Sequence, residues 1–181
     1  RSLGARDVRV VPTGVDIPEH LGPPASPPHV LFAGRLSEEK GILDFLTATE
    51  GVPRVVVGDG PLRSRVPETA GFVPPSEIGS WYERAAVVCV PSHREGYGMS
   101  AREALAHGRP VVATRVGGLA DLGPGAVLVP PRDHAALRDA VVALLGDDVR
   151  RSELGAEGRA NALSHAAAAD VLVDVYREAI R

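Results

Sequence analysis

The chain has 181 residues, 44% of them hydrophobic, and a formal net charge of −3, which is the composition of one globular domain. This charge balance argues against a nucleic-acid-binding surface. No apolar stretch approaches the roughly 20 residues of a membrane-spanning helix. The single cysteine, Cys89, lies in an apolar run and cannot form an internal disulfide. We therefore expect a buried thiol and a cytoplasmic protein.

Two features of the composition bear on function. The chain begins at Arg1 and its only methionine is Met99, so we expect it to be a piece of a longer protein. Lys40 is the only lysine beside many arginines. Its presence indicates either a functional requirement or a bias towards arginine with one chance survivor, and the composition leaves both interpretations open.

Short apolar runs alternate with helical patterns along the chain. The predicted strands cover residues 8–11, 30–33, 55–57, 86–90, 110–113 and 126–129. The predicted helices cover residues 38–50, 76–86, 99–107, 134–145, 149–163 and 167–180. Because the strands are continuously apolar, the pattern predicts an α/β fold: a doubly wound, Rossmann-like parallel sheet covered on both faces, with a helical C-terminal tail.

The loop after the strand at 30–33 carries Gly34, Arg35 and Lys40. Loops at the carboxyl ends of parallel strands are where ligands bind in such sheets. Arginine offers a fork for phosphate and lysine a compact charge, so this loop is a candidate anion site. The alternative is an exposed loop whose charges pair with Glu38 and Glu39.

The next strand ends in Gly58, Asp59 and Gly60. This motif is typical of a turn. It also lies on the same sheet edge as the first loop, where a ligand would sit. Because it is not a complete G-x-G-x-x-G motif, it does not indicate a dinucleotide site.

The most informative segment places two acids, Glu95 and Glu103, around a glycine-bearing loop and the start of a helix. Helix N-termini bind anions, and carboxylates accept hydrogen bonds from hydroxyls. The segment therefore favours a site for an anion beside a polyol. The alternative is that both glutamates only interact with the positive end of the helix dipole.

Other motifs say less. Gly117 and Gly118 follow a further strand and allow either close ligand approach or a structural turn. His93 is a weak candidate for a sugar or phosphate contact. No histidine or cysteine cluster has ligand spacing, so we expect no protein-bound metal.

Taken in order, these motifs resemble the C-terminal, donor-binding domain of retaining glycosyltransferases of family four, which have the GT-B fold. The resemblance runs from about residue 8 to residue 159. Residues 11–16 look like the family's domain entry, with Thr13 where asparagine is common. Residues 34–41 look like its pyrophosphate loop, and residues 95–103 like its pair of glutamates separated by seven residues.

The resemblance implies a role for each candidate residue. Arg35, Lys40 and Glu95 would be catalytic: the two cations would hold the donor phosphates, and Glu95 would face the sugar hydroxyls. Glu103 would accept hydrogen bonds from the ribose. The expected donor-binding residues are Gly34, Gly58, Gly60, Val73, Gly96, Tyr97, Gly98, Met99, Ser100 and Glu103, with residues 71–74 along the base.

The same resemblance makes residues 1–181 a single nucleotide-sugar-binding domain. The N-terminal acceptor domain would be missing, either as a deleted domain or as a separate partner chain. The nucleoside-diphosphate sugar would be a substrate, with no cofactor and no metal. We then expect the isolated chain to transfer little sugar. A sugar-nucleotide epimerase-like domain and a non-catalytic nucleotide-binding module are the alternatives.

One departure from the family pattern concerns residues 61–70. Many family members place a helix and a strand there, whereas this chain has ten residues. We therefore expect the crossover to be reduced to a turn or a short 3₁₀ helix, which puts the neighbouring base pocket in question.

Overall fold

A computed structural model of the chain describes residues 9–180. Five short strands form its sheet: β1 (Val30–Ala33), β2 (Arg54–Val57), β3 (Val87–Val90), β4 (Val111–Thr114) and β5 (Ala126–Val129). The α-helices are α1 (Ile42–Ala48), α2 (Pro75–Arg84), α3 (Met99–Ala106), α4 (His134–Leu145), α5 (Asp148–Ala160) and α6 (His165–Ala179).

The sheet is parallel throughout, in the order β2-β1-β3-β4-β5. The chain thus moves outward from β1 to β2 on one side and from β3 to β5 on the other. This reversal between β1 and β3 is a topological switch point, where the loops that follow the two strands leave a crevice. The predicted doubly wound sheet is confirmed.

Two apolar layers cover the sheet. On one face, Phe32 and Phe45 belong to a core that includes residues of α1 and α4. On the other face, Leu31 and Tyr82 belong to a core that includes residues of α2 and α3. Because both faces are covered, the central strands are buried along their whole length, which explains sequences that are apolar except for the buried Thr114 at the end of β4.

The C-terminal tail is helical, as predicted. Helix α5 packs closely on the end of α3, since a Cβ at Gly155 would lie 2.2 Å from the carbonyl oxygen of Gly108. The start of α6 meets the N-terminal segment through a bridge between Val15 and Ser164. Within residues 9–180, every helix falls short of the length and apolarity needed to cross a bilayer.

Two predicted elements differ in the structure. Of the strand expected at 8–11, Val8 lies outside the described residues, and residues 9–11 form no strand. Val10 is exposed there and is not paired with the sheet. Helix α1 begins at Ile42 rather than at residue 38, because Gly41 adopts a left-handed conformation that a helix cannot continue through.

The short crossover after β2 is confirmed. Only a 3₁₀ helix at Arg63–Arg65 stands between residues 61 and 70. The chain then returns along β2, where the Ala70 N–H donates to the Val56 carbonyl and the Gly58 N–H to the Gly71 carbonyl. This brings residues 71–73 to the carboxyl end of the strand, beside the crevice.

Candidate functional site

A cleft of about 560 Å³ opens at the carboxyl ends of β1, β2 and β3 and at the start of α3. The structure brings most of the predicted site residues together in its lining. Those that line it are Gly34, Arg35, Lys40, Gly58, Val73, Glu95, Tyr97, Gly98, Met99, Ser100 and Glu103.

Gly60 and Gly96 do not line the cleft. A Cβ at Gly60 would lie 2.6 Å from the carbonyl oxygen of Leu36, so this glycine allows two loops to meet. The carbonyl of Gly96 accepts a hydrogen bond from the Gly118 N–H at 3.2 Å, on the side of the neighbouring turn. Gly60 therefore has a packing explanation, whereas a Cβ at Gly96 would meet nothing within 4 Å, and the part of both glycines in donor binding stays a prediction.

The loop after β1 is held by backbone contacts that leave Arg35 free. The Gly34 N–H donates to the Val57 carbonyl, and the Leu36 N–H to the Asp59 carbonyl. A Cβ at Gly58 would lie 1.8 Å from the Gly34 carbonyl oxygen, which accounts for glycine there. Within residues 9–180, the Arg35 side chain makes no hydrogen bond or ion pair, and the residue is exposed at the cleft. Its guanidinium is thus available to an anion.

Lys40 and Glu95 meet across the cleft. The Lys40 Nζ lies 2.7 Å from the Glu95 Oε2, and the Ser92 hydroxyl donates to the same oxygen at 3.1 Å. The Lys40 side chain is 35% exposed and that of Glu95 only 10%. The alternative in which Lys40 pairs with Glu38 or Glu39 is therefore wrong. The pair places a cation beside a largely shielded carboxylate.

The start of α3 presents free backbone donors. Gly98, the N-cap, is left-handed with φ 82° and offers no side chain to the helix end. The Met99 and Ser100 N–H groups have no acceptor among the described residues. Because both residues line the cleft, these donors and the helix dipole would favour a negative group there.

Glu103 is oriented by a buried tyrosine. The Tyr82 hydroxyl donates to the Glu103 Oε2 at 2.9 Å. Burial, together with the neighbouring carboxylate, raises the pKa of Tyr82 well above its usual value. The hydroxyl therefore stays protonated as a donor, and one carboxylate oxygen of Glu103 remains for a ligand.

Several lining residues were not assigned a role from the sequence. Tyr82 and Ile78 lie one turn apart on α2, so helical spacing could have indicated a shared face. Ser92 gave no signal, since its contact with Glu95 depends on the path of the loop. Phe72, by contrast, belongs to the stretch 71–74 expected along the base, and it is 73% exposed where it lines the cleft beside Val73.

Tyr97 connects the cleft to the N-terminal segment. Its hydroxyl donates to the Thr13 carbonyl and accepts from the Thr13 N–H, both at 3.0 Å. The Arg102 guanidinium lies 4.1 Å from its ring centroid. Beneath this loop, a Cβ at Gly117 would lie 1.9 Å from the Glu95 carbonyl oxygen. The glycine pair at 117–118 therefore supports the loop as a structural turn.

No group of three or more histidine, cysteine, aspartate or glutamate side chains arranged to hold a metal occurs among residues 9–180. The charges that a ligand would meet in the cleft come from Arg35, Lys40, Asp59, Glu95 and Glu103.

The doubly wound parallel sheet superposes on solved GT-B glycosyltransferases, so the chain has the fold of one Rossmann-like half of such an enzyme. Among solved structures, sucrose-phosphate synthase from Thermosynechococcus elongatus superposes with a TM-score of 0.82 and 29% identity, covering 95% of this chain and 52% of that one. The C-terminal domain of a group 1 glycosyltransferase, LpcC, from Francisella tularensis superposes with a TM-score of 0.64 and 25% identity, covering 76% and 84%. The HepE protein of Anabaena, solved in complex with UDP, shares the fold at 21% identity, with a TM-score of 0.73 and coverage of 83% and 48%.

The family model described as Glycosyl transferases group 1 matches residues 27–147, and the chain belongs to this family. The D-inositol 3-phosphate glycosyltransferase of Xylanimonas cellulosilytica is 36% identical over an alignment of 216 positions. The alignment covers 96% of this chain and 52% of that protein. The enzyme of the same name from Kineococcus radiotolerans is 32% identical over 227 residues, with the same coverage. The chain thus spans about half the length of the curated relatives it matches.

Proposed function

We propose that this chain is the donor-binding half of a retaining glycosyltransferase, which transfers sugar from a nucleoside-diphosphate sugar without a metal. One observation carries the proposal. In a member of this family, the cleft combines the unpaired cation of Arg35, the cation of Lys40 on Glu95, free amide donors and two carboxylates in one site. A diphosphate, a ribose and a sugar require these three kinds of group.

The diphosphate would lie between the β1 loop and the start of α3. Arg35 has no competing partner among the described residues, and the amides of Met99 and Ser100 are free there. Lys40 would turn from Glu95 towards the phosphate. As the glycosidic bond breaks, these fixed positive groups would stabilise the negative charge that develops on the leaving diphosphate. Cationic side chains would then do the work that a divalent metal does elsewhere.

The two carboxylates would bind hydroxyls at opposite ends of the diphosphate. Glu103, held by Tyr82, would accept hydrogen bonds from the ribose, with the base extending towards Val73 and Phe72. Glu95 would face the donor sugar. The Glu95 side chain is only 10% exposed. A sugar hydroxyl that donates to its carboxylate would therefore replace the contact from Lys40, with little competition from water.

The acceptor would bind outside this chain. The chain spans about half of its relatives, so we expect the isolated domain to bind nucleotide but to transfer little sugar. The relatives' name makes D-inositol 3-phosphate the first acceptor to test once the other half is supplied. The unpaired, buried Cys89 agrees with the cytoplasmic location we propose.

A thermal-shift panel of UDP, GDP, ADP and their sugars tests this proposal. A ligand at about 100 times its Kd stabilises the folded state by about 2.7 kcal/mol. For a domain of this size, this corresponds to a rise in Tm of about 5–10 °C. We expect the true donor to give the largest shift. If no member of the panel raises Tm, the donor-binding proposal is wrong, and the result favours the alternative that the chain is a non-catalytic interaction module.

Glu103→Gln tests the ribose assignment. The amide is nearly the same size, but it is a weaker acceptor than a carboxylate. We expect the affinity for a nucleoside diphosphate to fall about 3- to 10-fold, as for one weakened charged hydrogen bond. The affinity for inorganic pyrophosphate, which has no ribose, should change less. Equal losses for the two ligands in calorimetry would refute the assigned role.

A further inference from the structure

Three side chains from separate elements meet just outside the cleft. The Asp44 carboxylate of α1 bonds the His93 Nε2 at 2.7 Å and lies 3.2 Å from the Nε2 of His134, the first residue of α4. The Asp44 and His93 side chains are 15% and 20% exposed, and that of His134 is 44% exposed. None of the three lines the cleft.

The charge state of Asp44 fits these contacts. Burial works to raise the pKa of its carboxyl, but the hydrogen bonds and charges of His93 and His134 outweigh burial and hold the pKa below its usual value. Asp44 is therefore an ionised acceptor at neutral pH. A hydrogen bond to an ionised group is stronger than one between neutral groups.

The contact between Asp44 and His93 joins the first turn of α1, which directly follows the Lys40 loop, to the loop that carries Glu95. The His93 N–H donates to the Glu39 carbonyl at 2.7 Å, so the loops are also linked through their backbones. Lys40 follows Glu39 directly, and Glu95 lies two residues after His93. Strands β1 and β3 pair at Val30 and Leu31, so the hydrogen-bonded ladder between them ends before the two loops begin.

We propose that Asp44 and His93 are positioning residues that hold the Lys40 loop against the Glu95 loop, so that Lys40 needs only to turn from Glu95 to reach the diphosphate. This inference rests on the proposed function. Asp44 and His93 touch no part of the cleft, and they act through the position of Lys40. His134 lies beside the other carboxylate oxygen of Asp44, Oδ1, and makes no hydrogen bond or ion pair with either loop among residues 9–180.

Calorimetry with UDP-glucose, or with the member of the panel that binds most tightly, tests the inference on the whole chain. We expect His93→Ala and Asp44→Asn to weaken binding about 5- to 20-fold. His93→Gln restores an N–H donor at the position of Nε2, and we expect it to stay within about 3-fold of the unmodified chain. His134→Ala, the control, should change binding no more than about 2-fold.

A cycle with Lys40→Met separates positioning from a general structural effect. If His93 acts through Lys40, His93→Ala should cost less than about 2-fold when Lys40 is already replaced. Full, additive losses would overturn the inference. If Asp44→Asn does not fold, the Ala and Gln variants at His93 decide.

The two proposals fail in distinguishable ways. If the unmodified chain binds a nucleotide and His93→Ala binds it equally well, the positioning role is wrong while the proposed function stands. If the unmodified chain binds none of the panel, the proposed function is wrong and this inference falls with it.

Discussion

Lys40→Met is expected to weaken nucleoside-diphosphate binding by about 10- to 100-fold. The loss of a charged hydrogen bond costs about 1.5–3 kcal/mol, and each 1.4 kcal/mol is about tenfold in affinity. The variant also leaves Glu95, whose side chain is 10% exposed, without its cationic partner. The unpaired carboxylate would then face the incoming phosphates. Titration calorimetry with the best nucleotide of the panel measures the change.

Arg94→Gln is the matched control for this prediction. It removes one positive charge from the neighbouring loop, but the Arg94 side chain is 83% exposed and lies 3.9 Å from the Glu39 Oε1, away from the cleft lining. We expect a change of less than about 3-fold, since exposed ion pairs contribute little. If Lys40→Met and Arg94→Gln lose the same affinity for the nucleotide, Lys40 acts only through the net charge, and its assigned contact with the diphosphate is wrong.

Gly41→Ala is expected to destabilise the fold by about 4 kcal/mol or more. Gly41 has φ 69°, and a left-handed conformation costs an alanine about 1–2 kcal/mol. In addition, a Cβ there would lie 2.0 Å from the Pro91 carbonyl oxygen, which is backbone and cannot rotate away. The loops after β1 and β3 would have to separate, and a loss of this size is exceptional for a single substitution. Urea unfolding measures the free energy.

Gly51→Ala is the control that separates the steric part of this effect from the conformational part. Gly51 has nearly the same conformation, φ 71°, but a Cβ there would meet nothing within 4 Å. Its expected cost is therefore only the conformational one, about 1–2 kcal/mol. Equal costs for the two variants would show that the loops at Gly41 and Pro91 are not in contact, and the geometry of the cleft would need revision.

The sheet was predictable from the sequence because its strands are buried on both faces. Runs such as those of β1 and β3 are apolar at every position, and such runs alternate with helices in a pattern that indicates few other folds. The N-terminal run at 8–11 contains three valines, but its described residues, 9–11, pair with no strand. An apolar run alone does not reveal whether a sheet edge is available to it.

The residue types of the cleft were also predictable, but their mutual contacts were not. Loops at the carboxyl ends of neighbouring strands must converge, which brought Lys40, Glu95 and Glu103 into one cleft. The ion pair between Lys40 and Glu95 joins residues 55 positions apart on loops of two different strands, and no local propensity predicts it.

The Asp44 and His93 contact illustrates the same limit. These residues are 49 positions apart, and neither has a neighbour at a spacing that marks a binding motif. They meet because β1 and β3 are adjacent in the sheet. Only the strand order makes this contact visible.

The most direct test of the account is a crystal structure of this chain with the best nucleotide sugar bound. We predict the diphosphate within hydrogen-bond distance of Arg35, Lys40 and the first amides of α3, with the ribose hydroxyls on Glu103. The Lys40 to Glu95 contact should be replaced by contacts to phosphate and sugar. A nucleotide bound elsewhere on the domain, with this cleft left empty, would contradict the account.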